Sequence, residues 1–162
     1  MKPTCIVSCP IDTFSGCGHH SRDFVRSLIE AKGSDWDIKI LPQKWGNTPW
    51  GFLKANDPLK THYLTEGEHP QPDVWIQITI PNEFQQQGKF NIGVTAGIES
   101  TVPPADWVQG MNRMDLNLVS SEFTKDTFSS IQFNETDQQN NVVRQLRLEK
   151  PIKVLFEGLD TG

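Results

Sequence analysis

Apolar positions along this chain follow two rhythms. Thr4–Ser8 and Leu116–Ser120 are short apolar runs, Trp36–Leu41 alternates apolar with polar residues, and Asp73–Ile80, Asn91–Ala96 and Ile152–Phe156 have the same short span. Each predicts a strand. Between Ser21 and Lys32 the apolar residues Phe24, Val25, Leu28, Ile29 and Ala31 recur at helical spacing. Ser21 is the predicted N-cap, Asp23 falls in the first turn where it faces the helix dipole, and Gly33 is the predicted stop. Ala105–Asn112, after Pro103-Pro104, predicts a short helix, and Ser121 is placed to cap another from Glu122 to about Ile131. Residues 42–72, rich in Pro, Gly, Asn, Trp and His, predict an irregular surface segment with a helical turn near Trp50–Lys54. Asp137–Asn141 reads as a polar loop.

Strand, glycine loop, helix, strand is the opening of a βαβ unit, and the alternation continues to the end. The expected fold is an α/β, Rossmann-like, open and mostly parallel sheet of at least five strands with helices on both faces. In such sheets ligands bind at the carboxyl ends of the strands. That rule gathers five loops on one rim: Ser15–His20, Pro81–Glu83, Gly97–Thr101, Ser120–Glu122 and Glu157–Asp160.

The length of 162 residues fits a single domain. A chain of this size buries roughly 70% of its unfolded surface, so it needs neither disulfide nor metal to fold. A formal charge of −5 with no basic run argues against a nucleic-acid groove. No apolar run is long enough to span a bilayer, and Met1–Cys5 is too polar for a secretory signal, so the expected location is the cytoplasm. Three cysteines at 5, 9 and 17 are an odd, crowded set, which predicts reduced thiols rather than a disulfide framework.

The stretch "SGCGHHSRD" after the first strand carries the most concentrated chemistry. Cys9, Cys17, His19 and His20 do not have the ligand spacing of a zinc site, and C-x-x-C is missing. Gly16-x-Gly18 starts a dinucleotide fingerprint, but Ser21 stands where the third glycine belongs and Leu41-Pro42-Gln43 replaces the ribose-binding acid. No Gly-Lys-Ser/Thr follows, so a P-loop is excluded. The sequence therefore predicts neither metal nor cofactor. Two readings of Gly16 and Gly18 stay open: close approach of the backbone to a ligand beside a helix N-terminus, or a tight strand-to-helix turn. Glu99 likewise either partners a hydroxyl or proton, or braces its own loop, and Asn82-Glu83 shares that ambiguity. Trp45, Trp50 and Trp75 are a candidate stacking surface or core.

The ordered set "SCPIDTFSGCGHHSRD", "KWGNTPWGFL", "DVWIQITIPNEFQ", "NIGVTAGIEST", "DWVQGMNRMDLNLVSSEFTKDTF" and "KVLFEGLDTG" resembles the N-terminal domain of group 1 glycosyltransferases of the GT-B fold, of the phage and bacterial type. The resemblance runs nearly end to end. It implies that residues 1–162 form the acceptor-side half, that Ser121-Glu122 match the family's strand–Ser-Glu–helix element, and that Glu157, Gly158, Leu159, Asp160 and Thr161 form the turn into a donor-binding domain. That second domain, which grips the nucleotide-sugar, lies outside these residues. The resemblance further implies that the glycine loop borders the interdomain cleft. His19, His20 and Arg22 are then candidate polar contacts and Glu99 a candidate catalytic acceptor-hydroxyl partner. Transfer is expected to be metal-independent, with helix dipole and backbone N–H groups stabilising the leaving diphosphate. The acceptor is left open. The alternatives are a stand-alone, non-catalytic ligand- or partner-binding module, and a nucleotide-binding regulatory domain.

Overall fold

Strand β1 (Thr4–Cys9) sorts its residues by period two. Cys5, Val7 and Cys9 enter one hydrophobic cluster and Ile6 enters another. The computed structural model describes residues 2–43, 48–64, 71–95, 105–136 and 138–155. Its main sheet has six strands, all parallel: β2 (Asp37–Pro42), β1, β3 (Val74–Ile78), β4 (Phe90–Thr95), β5 (Leu116–Val119) and β8 (Ile152–Val154), in the order β2-β1-β3-β4-β5-β8. The α/β class, the parallel sheet and the helices on its faces agree with the sequence. The strand ends differ from expectation by a few residues.

On one face α1 (Gly16–Lys32) lays Val25, Phe24, Leu28 and Ile29 over Val7, Ile38, Ile40 and Ile76. On the other face α2 (Ala105–Asn112) contributes Val108 and Met111, and α3 (Glu122–Ser130) contributes Phe128, beside Ile6, Trp75 and Val119. Trp107 stacks on Phe128 with ring centroids 6.5 Å apart. Burial of these apolar surfaces is the main stabilising term.

The start of α1 corrects the sequence reading. The helix begins at Gly16, not Ser21, and its N-cap is Ser15, whose hydroxyl accepts from the Gly18 N–H at 2.9 Å. Ser21 is fully buried inside the helix, and Asp23 lies beyond the first turn, which holds no acidic residue. Gly33 does end the helix, with its N–H returned to the Ile29 carbonyl, but in a right-handed conformation. The expected helical turn near Trp50–Lys54 is not formed. A short 3-10 helix, Pro58–His62, lies further on, started by Asp57, whose carboxylate accepts from the Leu59 N–H at 2.9 Å. Helix α2 has the expected bounds, and Ser121 caps α3 by accepting from the Thr124 N–H at 3.1 Å.

One element was not expected. After α3 the chain forms an antiparallel strand pair, β6 (Gln132–Thr136) and β7 (Val142–Arg147), in the stretch that holds the polar segment. Its Phe133 and Leu146 cover the cluster around Phe128. At the outer edges of the main sheet, β2 meets Tyr63 and Leu64, with the Leu64 N–H donating to the Ile40 carbonyl at 2.9 Å, and β8 is only three residues long.

Candidate functional site

The strand order reverses direction between β1 and β3, which are neighbours in the sheet but depart toward opposite sides. A crevice outside the carboxyl ends of such a pair is the usual ligand position. The described loops Pro10–Ser15, Thr79–Glu83 and Ser120-Ser121 all leave this edge, because every strand of the sheet runs the same way. The 97–101 and 157–160 loops, and with them Glu99, Glu157, Gly158 and Asp160, lie outside the described residues.

The β1 side of the rim is built around Arg22. Its guanidinium is 3% exposed and its Nη1 donates to the carbonyls of Ile11 at 3.1 Å and Thr13 at 2.9 Å. The Phe52 ring lies over it, 3.7 Å from the guanidinium carbon. Burial, with Arg26 adding, draws the Arg22 pKa below that of a free arginine, while Asp23, Asp12 and Asp57 oppose the shift. Gly18 has a complementary role. A Cβ there would overlap the Thr13 carbonyl oxygen and stand 2.6 Å from Thr13 Oγ1 and 3.0 Å from Arg22 Nη1. The close backbone approach at this glycine is therefore made to the protein's own loop. Asp12 ties the loop to the next segment by accepting from the Leu53 N–H at 2.7 Å. Phe14 packs edge to face on Phe52 at 5.3 Å, and both, with Trp50, are exposed.

The remaining residues singled out in the sequence are placed as follows. Gly16 is the first residue of α1. His19 is exposed, with its Nε2 3.3 Å from the carboxylate of Asp23 one helical turn on. His20 is half-buried in the same turn. Ser121 is engaged as a cap, and Glu122 is exposed in the first turn of α3. The structure brings Gly16, Gly18, His19, His20 and Arg22 together at one helix start and puts Ser121 and Glu122 at the carboxyl end of β5. Trp75 is a core residue, 6% exposed, and Trp50 forms a bridge with Thr13. Trp45 is outside the described residues. Cys5 and Cys9 are free, and burial pushes each thiol up to about 12, so neither is poised as a nucleophile. Among the described residues no cluster of His, Cys, Asp and Glu is placed to hold a metal, and no helix is long and apolar enough to cross a membrane.

The β3 side holds the cleft that the sequence reading only touched. Ser8, Leu41, Trp75, Gln77, Asn82, Glu83, Phe84, Gln85 and Arg113 line an open cleft of about 670 Å³, within the range of small-ligand sites. At its inner end Ser8 donates to Gln43 Oε1 at 2.8 Å and Gln43 Nε2 donates to the Ile78 carbonyl at 2.7 Å, which joins β1, the exit of β2 and β3.

The Pro81–Gln85 turn beside this cleft is held from three directions. Gln77 donates to the Glu83 carbonyl at 3.0 Å and accepts from the Gln85 N–H at 2.9 Å. Arg113 donates to the carbonyls of Phe84 at 2.8 Å and Asn82 at 3.0 Å. Gly110 of α2 lies against the Pro81 peptide so closely that a Cβ would overlap its carbonyl. The Thr79 hydroxyl donates to the Glu83 carboxylate. Gln43, Gln77 and Arg113 carry no motif, which is why the sequence did not mark them; the signal available was the pair of buried-strand polar positions, Gln77 and Thr79, ahead of Pro81-Asn82-Glu83. No family model matches the chain, and no curated protein or solved structure matches it either, so its similarity to known proteins shows no family.

Proposed function

We propose that this chain is the acceptor-side domain of a sugar-nucleotide-dependent glycosyltransferase, transferring sugar without a metal once a donor-binding domain completes the cleft. The observation that supports it most directly is the open carboxyl rim. Six parallel strands deliver the Pro10–Ser15, Thr79–Glu83 and Ser120-Ser121 loops to one edge, and Asn82 and Glu83 of the second loop also line a cleft of about 670 Å³ that runs against the sheet over Ser8, Trp75 and Gln77. The ordered motifs that resemble the N-terminal half of group 1 glycosyltransferases add the reaction class. In this reading the nucleotide-sugar is held mainly by the other domain, and each half brings one reactant to contact distance. Such positioning accounts for a large part of the rate in bimolecular transfers. Glu99, His19, His20 and Glu122 are retained as candidate contacts on the proposed interdomain side.

The test is nucleotide release from a panel of nucleoside-diphosphate sugars. It is run with residues 1–162 alone and with the chain extended by the donor-binding domain the proposal requires. Turnover confined to the extended protein is the expected result. Robust transfer by residues 1–162 alone, or an extension that supplies no second α/β domain, would sink the proposal and leave the non-catalytic binding module as the reading to pursue.

A further inference from the structure

We infer that the cleft beside the Pro81–Gln85 turn binds a neutral, hydroxyl-rich ligand of the saccharide class, and that Glu83 is the residue that grips one of its hydroxyls. This deepens the acceptor-side reading and rests on it for the word acceptor, but the binding site itself does not depend on a donor domain.

The argument begins with how much structure is arranged around one short turn. A surface turn ordinarily needs little more than its own i to i+3 bond. This one has that bond, from the Phe84 N–H to the Pro81 carbonyl at 3.1 Å, and a further set from Gln77 and Arg113. Gln77, itself 8% exposed, uses both ends of its amide on the turn. Phe84 anchors it from beneath, 1% exposed, with its ring so close over Gly93 that a Cβ there would stand 2.8 Å from Cζ. The result is a backbone held rigid on three sides while the Glu83 side chain is left exposed at the cleft wall. Rigid support of an exposed side chain is what a binding constellation requires.

The chemistry of the lining selects the ligand. The Glu83 carboxylate has two acceptor oxygens, and Thr79, 3% exposed just past the end of β3, donates to one of them. That fixes the carboxylate's rotation and leaves its other oxygen for a ligand hydroxyl. Arg113, in the same lining, turns Nε and Nη2 onto backbone carbonyls, which occupies one bidentate edge of its guanidinium. Glu83 and Arg113 are the charged residues of the lining and their formal charges cancel, so a neutral ligand fits it better than an anion. The Glu83 carboxylate then accepts from a donor such as a hydroxyl. Gln85 and Asn82 add amide donors and acceptors, and Trp75 adds an apolar wall, a mixture suited to a sugar ring with polar edges and an apolar face.

The experiment is two-dimensional NMR on the full chain, following the Trp75 indole N–H and the Gln77 and Gln85 side-chain amides. The probes are methyl glucoside, N-acetylglucosamine and lactose, with inorganic phosphate as the anionic comparator. The expected result is saturable shifts of those signals by at least one saccharide in the millimolar range and none by phosphate. Glu83→Gln should weaken that binding about tenfold, because a charged acceptor becomes a neutral one. Thr79→Val should weaken it about threefold or more and Thr79→Ser should restore it, a rescue that a purely packing role of the methyl group would not give. Should Thr79→Val lose the native spectrum, the exposed Glu83→Gln change decides alone. Absence of any saccharide shift, displacement by phosphate, or wild-type affinity in Glu83→Gln overturns the inference. Saccharide binding combined with no turnover in the extended protein would instead uphold this site and count against the transferase reading.

Discussion

Replacing Gly110 by alanine tests the packing that positions the Pro81–Gln85 turn, and it does so through the sign of the effect. Gly110 lies inside α2, where exchange of glycine for alanine normally stabilises a helix by about 1 kcal/mol. Here the added Cβ would overlap the Pro81 carbonyl oxygen and stand 3.2 Å from Asn82 Cα. Both are backbone atoms, so no rotamer change relieves the overlap. Overpacking of this kind costs about 1–3 kcal/mol. Displacing the turn would also stretch the bonds from Gln77 and Arg113, each worth about 1 kcal/mol net. After the helix gain is subtracted, Gly110→Ala should destabilise the chain by about 2 kcal/mol. For a domain of this size that lowers the melting temperature by about 4–8 °C. Thermal and urea unfolding followed by circular dichroism measure it. Gln109→Ala, at the exposed neighbour in the same helix, serves as control and should stay within about 0.5 kcal/mol of wild type. A Gly110→Ala protein that melts at or above the wild-type temperature would refute the close packing of α2 on the turn, and with it the rigidity attributed to Glu83.

Other outcomes follow from the same structure. Arg22→Leu should cost about 2–4 kcal/mol in urea unfolding, since it strips a charged donor from the buried Ile11 and Thr13 carbonyls; a loss below about 0.5 kcal/mol would contradict the clamp. His19→Ala should change stability by no more than about 0.5 kcal/mol, because its partner Asp23 is a surface neighbour, and a larger loss would show a role beyond that pair. In a Cys17→Ser background, Cys5 and Cys9 should resist a thiol reagent at pH 8 until denaturant is added, and rapid native labelling of two thiols would contradict their burial. The same two thiols and Tyr63, all raised to about 12 by burial, hold protons in the folded state that the unfolded chain gives up from about pH 9 to 10. Their stabilising contribution is complete below that range and is lost as the pH rises through 12, so urea midpoints should fall over this alkaline window. Midpoints flat from pH 9 to 12 would rule that out.

What the sequence disclosed and what it hid divide along physical lines. Short apolar runs and apolar–polar alternation mark strands whether they are central or at the sheet's edge, which is why β1 through β5 and β8 were legible within a few residues at each end. Helix α2 was fixed by the prolines before it and α3 by Ser121. The beginning of α1 was hidden because Gly16 and Gly18 each carry a helix penalty of about 1 kcal/mol. The Ser15 cap and the fit of Gly18 against Thr13 outweigh it; the cap signal was present in the sequence, but Ser21, next to the first apolar-periodic residues, competed with it. The hairpin was hidden because its strands mix exposed and polar positions, with Phe133 and Leu146 among the described side chains packed on the core. In the candidate site, the rim was predictable from topology, and the loops after β3 and β5 leave it as expected, whereas the expected 15–20 loop is the start of α1 and the 97–101 and 157–160 loops lie outside the described residues. The bracing by Gln43, Gln77 and Arg113 joins residues up to 35 positions apart, as in the Gln43–Ile78 bond, and no spacing rule announces such pairs.

The two margins of the main sheet bear on how copies of this protein can meet. An exposed strand margin offers unpaired N–H and C=O groups to any other chain and invites stacking into fibres. Here one margin is occupied at the Ile40 carbonyl by the Leu64 N–H and carries Pro42, which has no N–H to offer. The opposite margin is three residues long, with the charged Lys153 at its centre. Neither presents a ladder that a second copy could continue for more than a rung or two. Self-association by strand addition is thereby discouraged.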